Sequence, residues 1–226
     1  MTKFTLQMLF GGSARISVLH LERAIEAKGA FLLASNHISH FDPLILSAVL
    51  PWKIDWLAMA ELFENRLLGG FLRKCDTFPA DRFNADPKAV RTALGRLEMG
   101  RVVGIFPEGG LRTGPSSVLE GADIQPGTGS MAMMAGVPIL PCVVIGADRL
   151  YDPKAWRRFR SVDVWIHFGE LLYPNPDLPK GKARQELNQR LSEVLRDLYS
   201  EMKTTYQLRP EDLPTTAQRR KGKEKV

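Results

Sequence analysis

Cysteine is scarce in this chain: Cys75 and Cys142 are the two among 226 residues. One precedes a polar turn and the other lies inside the apolar run VPILPCVVIG. Such a pair builds neither a disulfide framework nor a cysteine zinc site, and a reducing, cytosolic compartment is the expectation. Also lacking is an unbroken apolar stretch of the ~20 residues that a membrane-spanning helix requires. The uncharged run from Ile124 to Ala147 is long enough, but Pro126, Pro138, Pro141 and several glycines interrupt it. It reads as a short helix followed by a buried strand. The opening MTKFTLQMLFGGSARIS has too short an apolar stretch before its glycines for a secretory leader. A membrane, if met, is met from its surface.

Charge of one sign is in modest excess, +6 overall. Much of it sits at the C-terminal end, where Arg219, Arg220, Lys221, Lys223 and Lys225 oppose Glu224 alone. That leaves a mildly basic body with a tail that can hold anionic lipid or nucleic acid by simple Coulomb attraction or stay solvated and do nothing; no nucleic-acid partner is expected. The length suits one well-buried core and is short for two. The sequence is accordingly divided into one domain over residues 1–203 and a basic, disordered tail over residues 204–226.

Short apolar strands alternate with amphipathic stretches, the pattern of an α/β layer fold. FLLAS (31–35), KIDWLAM (53–59), VVGIF (102–106), VPILPCVVIG (137–146) and VDVWIHFG (162–169) read as strands. Asp42-Pro43 and Asp86-Pro87 each read as an N-cap followed by proline in the first helical position. The second helix runs to Met99 and stops at Gly100. Residues 61–74 read as one amphipathic helix, residues 129–135 as a short one, and Leu187, Leu191, Val194, Leu195, Leu198 and Met202 mark a long C-terminal helix packed on the core.

The segment SNHISHFDP stands at the C-terminal end of a buried strand, where open α/β sheets place ligands. His37 and Asp42 are five residues apart and would diverge on a continuous helix. They meet only if residues 36–41 form a loop that folds the imidazole back over the helix start. Asp42 would then cap the helix and accept from one ring nitrogen, fixing the tautomer and leaving the other nitrogen as a base. The competing reading, a plain N-cap beside a loop histidine, is equally open on this segment alone. A binuclear metal reading of His37, His40 and Asp42 has the wrong spacing, and with His20 and His167 the sole other histidines no metal is expected. GTGSM (127–131) lacks the G-x-S-x-G form of a nucleophile elbow, which argues against a covalent enzyme intermediate. Gly127, Gly129 and Ala132 match a dinucleotide fingerprint, but no strand precedes them.

NHISHFD resembles the NHxSxxD block of the glycerophospholipid acyltransferases. Three further segments resemble that family's blocks in its order: FPADR (78–82), FPEGGLRTG (106–114) and VPILPC (137–142). The likeness spans roughly residues 30–145. It implies a single α/β domain with a central mixed, mostly parallel sheet flanked by helices, of glycerol-3-phosphate acyltransferase type. It also implies O-acyl transfer from a thioester, acyl-CoA or acyl carrier protein, to the free hydroxyl of 1-acylglycerol 3-phosphate, with no cofactor. His37 would be the base and Asp42 its orienter. Arg82, Glu108, Gly109, Gly110 and Arg112 would line the acceptor site, the two arginines gripping phosphate and Glu108 holding an arginine or a glycerol hydroxyl. Two positions depart from the family: Gly110-Leu111 replaces the usual Thr-Arg, with Arg112 one place later, and Gln125 replaces a lysine that often precedes Pro-Gly. Another lysophospholipid or an aminolipid acceptor fits the same family, and a non-catalytic lipid-surface protein would keep the fold without turnover. Since donor and acceptor are lipids, docking at the inner face of the membrane is expected, through the face of residues 61–74, through AWRRFR (155–160) and through the tail.

Overall fold

The computed structural model describes residues 10–74, 76–81, 86–157 and 162–214. Seven strands form one sheet in the order β1-β7-β6-β2-β5-β3-β4. They are β1 (Ala14–Leu19), β2 (Phe31–Ser35), β3 (Ile54–Met59), β4 (Phe78–Ala80), β5 (Val102–Ile105), β6 (Ile139–Ile145) and β7 (Val162–Phe168). All neighbours are parallel except β6 and β7, which run antiparallel. The central strands β2, β5 and β6 are buried along their whole length, which is why they read as continuous apolar runs and not as alternating ones.

The helices are α1 (Leu21–Glu26), α2 (Asp42–Val49), α3 (Arg66–Lys74), α4 (Pro87–Glu98), α5 (Gly127–Ala135) and α6 (Lys180–Thr205). One face of the sheet packs on α1 and α2 through Ala24, Ile45, Leu46 and Ala48. The other packs on α4, α5 and α6 through Ala93, Leu97, Met131, Ala132, Leu187, Leu191, Leu195, Leu198 and Met202. The sheet is thus covered on both sides, as its parallel strands require.

Several local expectations change. Residues 61–74 are not one helix: a 3-10 turn over Ala60–Phe63 is followed, after Asn65, by α3. The Asn65 side chain accepts from Leu67 N–H at 3.0 Å and starts the new helix. The N-terminal segment adds β1, whose polar residues Arg15 and Ser17 break the apolar run. FPA (78–80) adds β4, too short to show a period. The boundary at residue 203 falls inside α6, and Arg149 reaches Asp212 at 3.0 Å, so residues 204–214 belong to the folded body. The basic cluster 219–225 lies outside the described residues.

Candidate active site

Chain connections place the site. From β2 the chain leaves through α2 on one face towards β3, and from β5 it leaves through α5 on the other face towards β6. The two departures leave adjacent strands towards opposite faces, which makes the carboxyl ends of β2 and β5 the switch point, the crevice where such sheets bind ligands. His37 follows β2 and Glu108 follows β5.

The loop after β2 is tied down on both sides. Asn36, fully buried, pairs with β6 as though it were one more strand residue: its amide donates to Val144 O at 3.0 Å and its carbonyl accepts from Val144 N at 2.8 Å. Asp42 N–H donates to Ser39 O at 3.1 Å, which closes a tight turn ahead of α2. Within that turn Asp42 Oδ2 accepts from His37 Nδ1 at 2.9 Å and from the backbone N–H groups of Ile38 and Ser39, each at 2.8 Å. Its side chain is fully buried, and that of His37 is 14% exposed.

The expected helix cap is not what Asp42 makes. Phe41 is the N-cap, without a side-chain cap bond, and Asp42 is the first helical residue. Its carboxylate turns back into the loop, where three donors converge, because the Ser39–Asp42 turn brings them closer than the N–H groups of the first helical turn. A carboxylate can only accept from Nδ1, so Nδ1 carries the proton and the lone pair is left on Nε2.

A stack of rings sets the plane of the imidazole. Phe106 lies against His37 with centroids 3.8 Å apart and planes 12° from parallel, and Trp56 backs Phe106 at 5.0 Å and 10°. Trp56 Nε1 donates to Ser47 Oγ on α2 at 2.9 Å. Gly104 makes room for the indole, since a Cβ there would sit 2.4 Å from the Trp56 ring.

Glu108 departs from expectation. Among the described residues no arginine pairs with it. Oε2 accepts from the backbone N–H of His37 at 2.7 Å, and Oε1 accepts from Ser117 Oγ at 2.7 Å and Val118 N at 2.8 Å. It is 3% exposed, and burial pushes its carboxyl up from the ordinary range, against those three donors. Glu108 is therefore a cross-brace that fixes the backbone of the histidine to the loop after β5. Beyond it, Gly109 takes φ +69° and donates its own N–H to Phe106 O at 3.0 Å. That N–H is committed inside the turn. Gly110 follows, and Arg112 N–H donates to His37 O at 2.8 Å. The loop thus grips both backbone groups of the histidine, one through Glu108 and one through Arg112. The Arg112 guanidinium has no acceptor among the described residues. Arg82 lies outside them, although the ends of its segment are joined: Asp81 N–H donates to Asp86 Oδ2 at 2.9 Å.

His40 turns away from this centre to the Tyr151 hydroxyl, which also accepts from His40 N–H at 2.9 Å. The residues after β6 carry Asp148, whose carboxyl burial pushes up to about 6, with a smaller push from the Asp42 charge. Sequence reasoning found His37, Asp42 and the loop after β5. It missed Asn36, Phe106, Trp56 and Ser117, of which only Asn36, a polar residue ending an apolar strand, carries a local signal.

Fold and site together define an α/β protein with a paired histidine and aspartate at the sheet's switch point. The Acyltransferase family model matches residues 16–145, and the chain belongs to that family. Among its relatives is a 1-acyl-sn-glycerol-3-phosphate acyltransferase of Bacillus subtilis, 34% identical over 75% of this chain and 83% of that one. Another so named, from Streptococcus pneumoniae, is 30% identical over 51% of this chain and 42% of its own. The fold is that of the solved 1-acyl-sn-glycerophosphate (LPA) acyltransferase PlsC from Thermotoga maritima, with a TM-score of 0.61 at 19% identity over 87% of this chain and 76% of that one.

Proposed function

We propose that the chain transfers a fatty acyl group from a thioester, acyl-CoA or acyl carrier protein, to the free hydroxyl of 1-acylglycerol 3-phosphate, with His37 as general base. The observation that carries this reading is the 2.9 Å bond from His37 Nδ1 to a buried Asp42 that holds three donors. As the hydroxyl oxygen attacks the thioester carbon, its proton moves to Nε2. The imidazolium so formed is stabilised by the carboxylate behind it. When the tetrahedral intermediate collapses, the C–S bond breaks and the proton returns to the departing thiolate, so no cofactor is required.

Arg112 is the phosphate contact from the loop after β5, and Arg82 is its partner from the segment after β4. A guanidinium fork suits a phosphate by paired, charge-assisted bonds. Both arginines stand in family-like segments, which is the support for this assignment. The chain meets the membrane from its surface, at the cytoplasmic face. Among the described residues no helix is long and apolar enough to cross a bilayer, while Leu67 on α3 is 88% exposed and Trp156 37%.

The decisive experiment offers purified protein labelled acyl-CoA and acyl-carrier-protein donors against a panel of lysophospholipids and aminolipids. Preferred turnover of 1-acylglycerol 3-phosphate, lost in His37→Ala, supports the reading. Preference for another acceptor moves the assignment within the family. Unchanged turnover in His37→Ala removes the base.

A further inference from the structure

Two histidines outside the crevice meet a carboxylate on the α6 side of the sheet. His20 joins β1 to α1, His167 is the penultimate residue of β7, and Glu201 lies on α6. Their ligand atoms fall within 4.8 Å of one another. We propose that His20, His167 and Glu201 bind one divalent transition-metal ion of the zinc class, clamping the sheet edge to the C-terminal helix.

The hydrogen bonds fix the protons. His167 Nδ1 lies 2.9 Å from the carbonyl of Leu198, which can only accept, so Nδ1 bears the hydrogen and Nε2 bears the lone pair. That Nε2 is fully buried and has no hydrogen-bond partner. What it faces, at 3.6 Å, is Glu201 Oε2, another acceptor. His20 repeats the pattern: Nδ1 is 2.9 Å from Glu22 Oε1, which leaves Nε2 to face Glu201 Oε1 at 3.6 Å. Lone pairs that converge at non-bonding distance are unfavourable as they stand and are satisfied by a single cation between them.

Three further features agree. Zinc bonds of ~2.0–2.2 Å in a tetrahedral shell put neighbouring donor atoms about 3.4 Å apart, close to the 3.6 Å from each Nε2 to its own Glu201 oxygen. Metal-bound histidines typically donate their other ring N–H to a carbonyl or carboxylate, and Leu198 and Glu22 provide one of each. Arg23, whose charge reaches His167, is engaged instead with Phe168 O at 3.2 Å and Glu170 at 3.9 Å. Two imidazoles and one carboxylate leave a fourth position for water on the side where Glu201 is half exposed. The site is remote from acyl transfer: His167 shares a strand face with Trp165, which packs with the α6 cluster, whereas α2 covers the opposite face.

The test uses the full chain, stripped with a chelator and then titrated with Zn2+ and, separately, with Co2+ as a visible probe. Expected are one equivalent bound, a Tm raised by roughly 5–10 °C at a hundredfold excess over Kd, and Co2+ absorption bands of a four-coordinate N/O site. His20→Ala and Glu201→Gln, each at a partly exposed residue, should abolish the shift and the bands while leaving the apo Tm close to wild type and acyl transfer intact. Should one variant fail to fold, the other decides. No shift with wild type, or a shift and spectrum that survive both substitutions, would show that these side chains hold no metal, and would overturn the proposal.

Discussion

At the scale of the residue, the site consists of one imidazole fixed from four directions: Asp42 at Nδ1, Phe106 on its face, Glu108 at its N–H and Arg112 at its carbonyl. Asp42→Asn keeps the shape and an oxygen for the three donors but removes the negative charge that stabilises the imidazolium. A fall in kcat of roughly 10²–10⁴-fold, with a far smaller change in the acceptor KM, is expected from steady-state assays. Glu108→Gln should act through structure. An amide cannot accept at both ends, so the N–H of His37 or Val118 loses its partner inside the fold. The expected cost is about 1–3 kcal/mol in denaturant unfolding, together with lower kcat as the histidine loses its brace. The pairing of His37 with Asp42 was one of two readings that SNHISHFDP left open, because five-residue spacing across a strand-to-helix loop is a local feature, and the family resemblance decided between them. The role of Glu108 was not legible, since its donors come from residues 37, 117 and 118, and only the fold brings these together.

At the scale of the element, β5 is shaped around the aromatic stack and β3 around an ion cluster. Gly104→Ala drives a methyl group into Trp56 and, through Phe106, tilts the imidazole. Overpacking of this kind costs about 1–3 kcal/mol, and activity should fall even where the protein remains folded, as read by parallel thermal melts and turnover. On β3, fully buried Asp55 pairs with Arg96 at 3.0 Å and with Arg101. Asp55→Leu would leave two arginines without their shared carboxylate, at a cost of about 3–5 kcal/mol in chemical unfolding. The helix from Pro87 was read correctly because its start is local: Asp86 accepts from Lys88 N at 3.0 Å and Ala89 N at 2.9 Å. The same dipeptide at Asp42-Pro43 misled, since there the N–H groups of the preceding loop, Ile38 and Ser39, outbid the helix end for the carboxylate.

At the scale of the whole molecule, charge and burial set the response to pH and to membranes. The carboxyl of Asp148 is held near pKa 6 in the folded chain, against an ordinary value of ~3.9. A raised carboxyl binds its proton more tightly when folded, so its contribution is full below pH ~4 and is lost as pH rises through ~6. Asp148→Asn should therefore flatten the stability profile between those limits and be the more stable protein at pH 7, by on the order of 2 kcal/mol, as unfolding curves across the range would show. The proposed membrane docking would be a property of the assembled surface. Flotation with vesicles is expected to increase with anionic lipid and to weaken as salt rises, and insensitivity to both would remove the electrostatic part.

The sequence by itself determined what depends on neighbours in the chain: the buried strands from their apolar runs, the helix beginning at Pro87, and the loop that could bring His37 to Asp42. Four motifs in order carried the family. Tertiary structure alone decided the matters that join distant residues. The face of Phe106 against the imidazole, the burial of Glu108 under Ser117, the pairing of Asn36 with Val144 across the sheet, and the meeting of His20, His167 and Glu201 all span long stretches of chain. The physical reason is one of range: strand burial and helix caps are set within a few residues, whereas the position of a donor for a buried acceptor is fixed only when strands from opposite ends of the chain lie side by side.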